Sequence, residues 1–148
     1  MRLVVDANIL FAALITDGLT ASILVREDLE LFTPAYALDE FAKYHTLILA
    51  KTRRGEREFD EFFEIVSRRV EVVPRTTFEK FLPRARRCSP DLGDAPYFAL
   101  AVHLDATLWT EDKALREQDV VTTVTTAELA TREMPQPGNV ASQKRKRV

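Results

Sequence analysis

The chain alternates short β-branched runs with longer stretches of helical periodicity. Arg2–Val5 is a brief apolar run ending in Asp6, the pattern of a buried strand that delivers an acid at its carboxyl end. Ala7–Leu14 reads as a helix, Thr16-Asp17-Gly18 as a break, Thr20–Glu27 as a second short helix and Leu29–Thr33 as a second strand closed by Pro34. Leu38, Phe41, Ala42, His45 and Leu49 then repeat at helical spacing, which predicts a long amphipathic helix from Ala35 to about Lys51. Arg53-Arg54-Gly55 interrupts it, and Phe59, Phe62, Phe63 and Val66 form the stripe of another helix. Val70–Val73 predicts a third strand stopped by Pro74. Phe78, Phe81, Leu82 and Ala85 predict a helix kinked at Pro83. Ala95–Leu104 is apolar nearly all round and so predicts a helix at the centre of the domain. Thr107–Thr110 reads as a fourth strand, Glu111–Gln118 as a short helix and Val120–Val124 as a fifth strand.

Strands alternating with helices predict an α/β/α sandwich, with an open parallel sheet of about five strands. In such folds the ligand site lies in the crevice beyond the carboxyl ends of the strands. Asp6 and Asp112 follow the first and fourth strands directly, so the topology aims both at that crevice. Residues 1–132 read as one domain. Residues 133–148, with Pro135, Pro137, Gly138 and a basic end, read as a disordered tail.

Composition narrows the chemistry. With 148 residues and 46% hydrophobic content the chain can bury a core without disulfides or a structural metal, and its single Cys88 has no partner within the chain. A reducing cytoplasm fits best. No apolar run is long enough for a membrane span or a signal peptide. The net charge is -2 even with the tail cations Lys144, Arg145, Lys146 and Arg147 included, so the body is acidic. That balance excludes a non-specific nucleic-acid coat protein and leaves room for a nucleic-acid enzyme with a negative, cation-binding pocket. Four scattered glycines make no dinucleotide or phosphate-binding loop.

Asp6, Glu40, Asp91, Asp94 and Asp112 are the acids that stand out. Each taken alone has an ordinary explanation: Asp6, Asp94 and Asp112 precede helices and would serve as caps, and Glu40 borders an apolar stripe as a surface acid would. Their collection at one end of the sheet is what capping does not explain. Two like charges 4 Å apart repel by roughly 4 kcal/mol at an effective dielectric of 20, so a cluster of carboxylates calls for protonation or a cation. Oxygen ligands without Cys or His select Mg2+ or Mn2+ over zinc.

Four blocks carry a family resemblance: Val4-Val5-Asp6-Ala7-Asn8; Glu40; Asp91-Leu92-Gly93-Asp94-Ala95-Pro96-Tyr97-Phe98-Ala99-Leu100-Ala101; and Leu108-Trp109-Thr110-Glu111-Asp112-Lys113. Their order and spacing over about residues 1–130 resemble the signature blocks of PIN-domain nucleases, including the VapC-like toxin ribonucleases. The resemblance implies hydrolysis of RNA phosphodiesters with one or two Mg2+ or Mn2+ ions. It makes Asp6, Glu40, Asp94 and Asp112 the core acids, Asp91 an accessory fifth metal ligand, and Asn8 and Thr110 polar groups that hydrogen-bond the acids. It further implies a cognate antitoxin partner and a homodimer. Gly93 departs from the pattern, because many relatives carry another acid there.

Other chemistry is less well served. His45 and His103 both read as structural, which disfavours a metal-free ribonuclease built on paired histidines. A haloacid-dehalogenase-type phosphatase would use Asp6 as nucleophile and an acid two residues later, where this chain has Asn8. A non-catalytic RNA- or protein-binding module would have no use for the full acid set. Arg53, Arg54, Arg57, Arg68, Arg69, Arg84, Arg86 and Arg87 read mostly as solvated surface, with some available to position phosphates.

Overall fold

The computed structural model describes residues 1–15, 18–44, 47, 49–50 and 55–132. Thr16-Asp17, His45, Lys51, Arg53, Arg54 and the tail from 133 onward lie outside them, and with them part of the predicted long helix.

Five strands form one sheet: β1 (Arg2–Val5), β2 (Glu30–Pro34), β3 (Val70–Val73), β4 (Thr107–Trp109) and β5 (Thr123–Val124). Their order is β3-β2-β1-β4-β5 and every pairing is parallel. The period of two splits their side chains cleanly. Leu3 and Val5 face one core with Val70 and Trp109, whereas Val4 and Leu108 face the other with Val73. Both faces are covered, so Leu3, Val4 and Val5 are all sealed from solvent.

Helices α1 (Ala7–Ile15), α2 (Gly18–Leu24), α3 (Ala35–Lys43) and α4 (Glu56–Arg69) contribute to the first core. Its centre is aromatic: Phe41 stacks on Phe11 at 5.1 Å and on Phe59 at 5.5 Å. The second core is built by α5 (Arg75–Phe78), α6 (Leu82–Cys88), α7 (Ala95–Leu104) and α8 (Lys113–Arg116). As expected of a sequence apolar on all sides, α7 is central, with Tyr97, Phe98, Ala99, Leu100 and Ala101 buried. It ends at Asp105 in a left-handed conformation, φ 51°, which Asp tolerates better than most residues.

Two predicted elements differ most from the observed ones, and one observed helix has no predicted counterpart. The helix expected to kink at Pro83 is two helices joined by a 3-10 turn at Glu79–Phe81, and Pro83 sits in the first turn of α6, where its missing N–H costs nothing. The fifth strand is only Thr123–Val124, because Gln118 takes the N–H groups of Val120 and Val121 into a turn, accepting both at 2.8 Å. A last helix, α9 (Thr126–Ala130), was not foreseen; it starts on a capping box in which the Thr125 side chain accepts from Glu128 N–H and Glu128 reaches back.

Candidate active site

Strand order reverses direction between β1 and β4, which are neighbours in the sheet. Ligands of open α/β sheets bind beyond the carboxyl ends of the strands at such a switch point. Asp6 stands there. Its N–H continues the ladder to the Trp109 carbonyl at 3.2 Å, and its side chain is 6% exposed. One carboxylate oxygen accepts the Asn8 N–H at 3.1 Å and the other accepts the Thr110 hydroxyl at 2.8 Å. Thr110 is fully buried, and its hydroxyl oxygen also accepts the Asp112 N–H at 3.1 Å. Thr110 therefore ties the acid after β1 to the acid after β4. Asn8 reaches Asp6 through its backbone, while its side chain is exposed.

Burial pushes the Asp6 carboxyl above its ordinary range; the bonds from Asn8 and Thr110 oppose that shift, and the charges of Asp112 and Glu40 add to it. Asp94, half-buried, is pushed to about 6 by burial and by the charges of Asp91, Asp112, Asp6 and Glu40. Five carboxylates thus act on one another in a single crevice. None of the five is ion-paired with a base among the described residues. Uncompensated negative charge of this kind favours a cation.

The caps divide unevenly. Asp112 does cap α8, its carboxylate accepting Ala114 N–H at 2.9 Å and Leu115 N–H at 3.4 Å. Asp91 caps the 3-10 turn at Leu92–Asp94 by accepting Gly93 N–H at 2.9 Å. Asp94, also a cap candidate by sequence, makes no side-chain cap bond. Its charge is not spent on the helix it precedes.

Two tyrosines were not foreseen. Tyr36 donates to Glu40 one turn later in α3, and that bond, with burial and the charges of Glu40, Asp91 and Asp94, pushes its phenol up to about 12. Tyr97 is buried in α7, its hydroxyl oxygen accepting the Ala7 N–H at 3.3 Å. Burial, then the charges of Asp6 and Glu40, raises its phenol well above the ordinary value. The i, i+4 spacing of Tyr36 and Glu40 was the available signal; Tyr97 lay hidden in an apolar run.

The donor set is all oxygen, which suits Mg2+ or Mn2+. Among the described residues no three donors converge tightly enough to form a ready cage. Mg2+ tolerates that arrangement because it keeps several waters and takes only one or two carboxylates directly. A Cβ on Gly93 would lie 3.5 Å from the Tyr36 hydroxyl and 3.6 Å from an Asp91 oxygen, ordinary contacts, so packing does not demand glycine there.

Three of the basic residues are committed elsewhere. Arg57 pairs with Glu61 and Arg68 with Glu64 along α4. Arg69 donates to the Leu24 and Arg26 carbonyls and braces the first core. His103 is exposed, its ring 5.9 Å from that of Phe81 and at the opposite end of α7 from Asp94.

A PIN-domain family model matches residues 4–135. The chain belongs to the PIN-domain family. Members of this family are nucleases and generally use divalent metal ions. Among solved structures, a chain of VapBC2 from Rickettsia felis, bound to a DNA fragment from their promoter, superposes with a TM-score of 0.61. The match covers 84% of this chain and 98% of that one, at 16% identity, so the fold is shared. No curated protein matches by sequence. No helix among the described residues is long and apolar enough to cross a membrane.

The Thr110 bridge should be needed for stability in this PIN domain. Thr110→Val keeps the shape and leaves an Asp6 oxygen and the Asp112 N–H without their partner, so a loss of about 1–3 kcal/mol is expected in urea unfolding. A loss below about 0.5 kcal/mol would mean that water replaces the hydroxyl.

Proposed function

We propose that this chain is a Mg2+- or Mn2+-dependent endoribonuclease, with Asp6, Glu40, Asp94 and Asp112 as its catalytic acids and Asp91 as an accessory ligand. The observation that carries the proposal is the set of five mutually repelling carboxylates, without a basic partner among the described residues, at the sheet's switch point.

Each residue has a distinct part. Asp6 is held by Thr110 and the Asn8 amide, so its direction is fixed before any ligand arrives. Asp112 is oriented by its cap bonds and through its own N–H to Thr110. Asp94, free of cap bonds, is the acid placed to take the proton of an attacking water. Glu40 is oriented by Tyr36. Bound Mg2+ or Mn2+ would supply Lewis-acid stabilisation of charge growing on the phosphoryl and leaving oxygens. Asp6, Glu40, Asp91, Asp94 and Asp112 would hold it. A phosphatase using Asp6 as nucleophile would need an acid at position 8, and Asn8 offers Asp6 only its backbone N–H.

We also infer that the enzyme is the toxin of a toxin-antitoxin pair, acting in the cytoplasm. The VapBC2 likeness supports this, and so do the apolar side chains left open around α2 and α4: Leu19, Val25 and Ile65 are each about half exposed.

The test of activity is incubation of the full chain with single-stranded RNA and DNA of one sequence, in Mn2+ and in EDTA. Metal-dependent internal cuts in RNA are expected. RNA left intact in metal, with binding retained, would favour a non-catalytic binding module.

A further inference from the structure

A hollow of about 320 Å³ adjoins the acids, bounded by α3, α5, α6 and the start of α7. Tyr36, Asp39, Arg75, Phe78, Arg86 and Leu92 line it. Tyr36 belongs to both places, since it lines the hollow and bonds Glu40 beside Asp91 and Asp94. We propose that this hollow is the subsite for the nucleobase next to the scissile phosphate and that it selects bases carrying amino groups, guanine above all. The proposal rests on the ribonuclease reading and extends it to substrate choice.

The hollow is at the small end of ligand sites and has their usual make-up, apolar walls with a few polar groups. Phe78 is buried beneath it, whereas Leu92 is 72% exposed at its rim, an apolar side chain without cover. Tyr36 is 39% exposed and offers a ring face, and stacking on an aromatic face accepts any base. Choice among bases must come from hydrogen bonding. Asp39 is an acceptor only, so it favours an edge that presents N–H donors. Guanine presents two side by side, matching the two carboxylate oxygens, and uracil presents a single ring N–H. Arg75 and Arg86 supply the charge and planar forks that suit phosphates on either side of the base. Asp39, Arg75 and Arg86 make no ion pair with another described residue, so all three remain available. Arg75 follows the end of β3 after Pro74 alone, which puts it at the same carboxyl edge as the acids.

The experiment measures kcat/KM in Mn2+ on four RNAs that differ only in the base flanking the cut, for the parent, Asp39→Asn, and Arg75→Gln with Arg86→Gln. All three substituted residues are exposed, and unchanged melting temperatures confirm folding. The parent is expected to prefer guanine over uracil by about tenfold or more, as a good two-bond contact discriminates. Asp39→Asn should bring the four rates to within about twofold of one another. The double arginine variant should raise KM several-fold with kcat nearly unchanged. A parent that cuts all four RNAs equally, or a preference that survives Asp39→Asn intact, overturns the subsite alone. A parent that cuts none of them removes the ribonuclease reading, and the subsite with it.

Discussion

Asp6→Asn, Asp94→Asn and Asp112→Asn should each lower metal-dependent RNA turnover by more than about a hundredfold. Loss of a hydrogen-bonding group behind a metal ligand already costs about 10–100-fold, and these changes remove a ligand charge itself. Asn is nearly the same shape, so the losses cannot be ascribed to packing. The three arise from separate parts of the chain, the end of β1, the start of α7 and the start of α8, and meet at the crevice, where Thr110 also links Asp6 to Asp112. Their effects should also fail to add, because residues that act as one unit do not contribute independently. Initial rates in Mn2+ for the parent, the single variants and one double variant check this. Single variants that retain more than a tenth of parental turnover would place the chemistry elsewhere.

The second large effect concerns stability, and it separates two aspartates that look alike in sequence. Asp94 has no cap bond and is pushed to about 6 from an ordinary 3.8, chiefly by burial and then by its acidic neighbours. A carboxyl whose folded pKa is raised binds more protons folded than unfolded between those values. Stability from this group is therefore full below about pH 4 and falls as pH rises through about 6. In EDTA at pH 7, Asp94→Asn should be more stable than the parent by about 1 kcal/mol, less than the full shift implies because solvent screens a half-buried group. That advantage should vanish by about pH 4, where the parent's Asp94 is itself neutral. Asp112→Ala should behave in the opposite way, losing about 0.5–2 kcal/mol because its carboxylate caps α8. Thermal unfolding of the three proteins from pH 4 to pH 8 in EDTA measures both. A cap-sized loss in Asp94→Asn would mean that Asp94 serves its helix after all.

What the sequence disclosed was whatever depends on strong local periodicity. β1, α4 and α7 were legible because an apolar run closed by an acid, a four-residue stripe and an all-apolar segment each have one economical burial. From the alternation of elements came the parallel sheet, and from the sheet the meeting of Asp6 with Asp112. Where several local solutions compete, sequence was silent. Pro83 is compatible with a kink or a new start, and the contact of α5 and α6 with α7 decides for the start. Asp94 and Asp112 both precede helices, and nothing local tells which side chain turns back to the backbone. Tyr97 reads as core because it lies in an apolar run, and the partner of its hydroxyl is an amide ninety residues away. Arg75 and Asp39 carried no motif at all, and only the fold, which sets α3, α5 and α6 around one hollow, brings them together.

The central claim is that five acids from four separate segments form one metal site, and Mn2+ binding to the RNA-free protein measures that directly. Isothermal titration of the parent at pH 7.5 should give saturable binding. Asp6→Asn and Asp94→Asn should each weaken it by at least about tenfold, and His103→Ala, at the far end of α7, should leave it unchanged. Equal Mn2+ affinity in the parent and both aspartate variants, or no binding in a parent that still cuts RNA, would contradict the site described here.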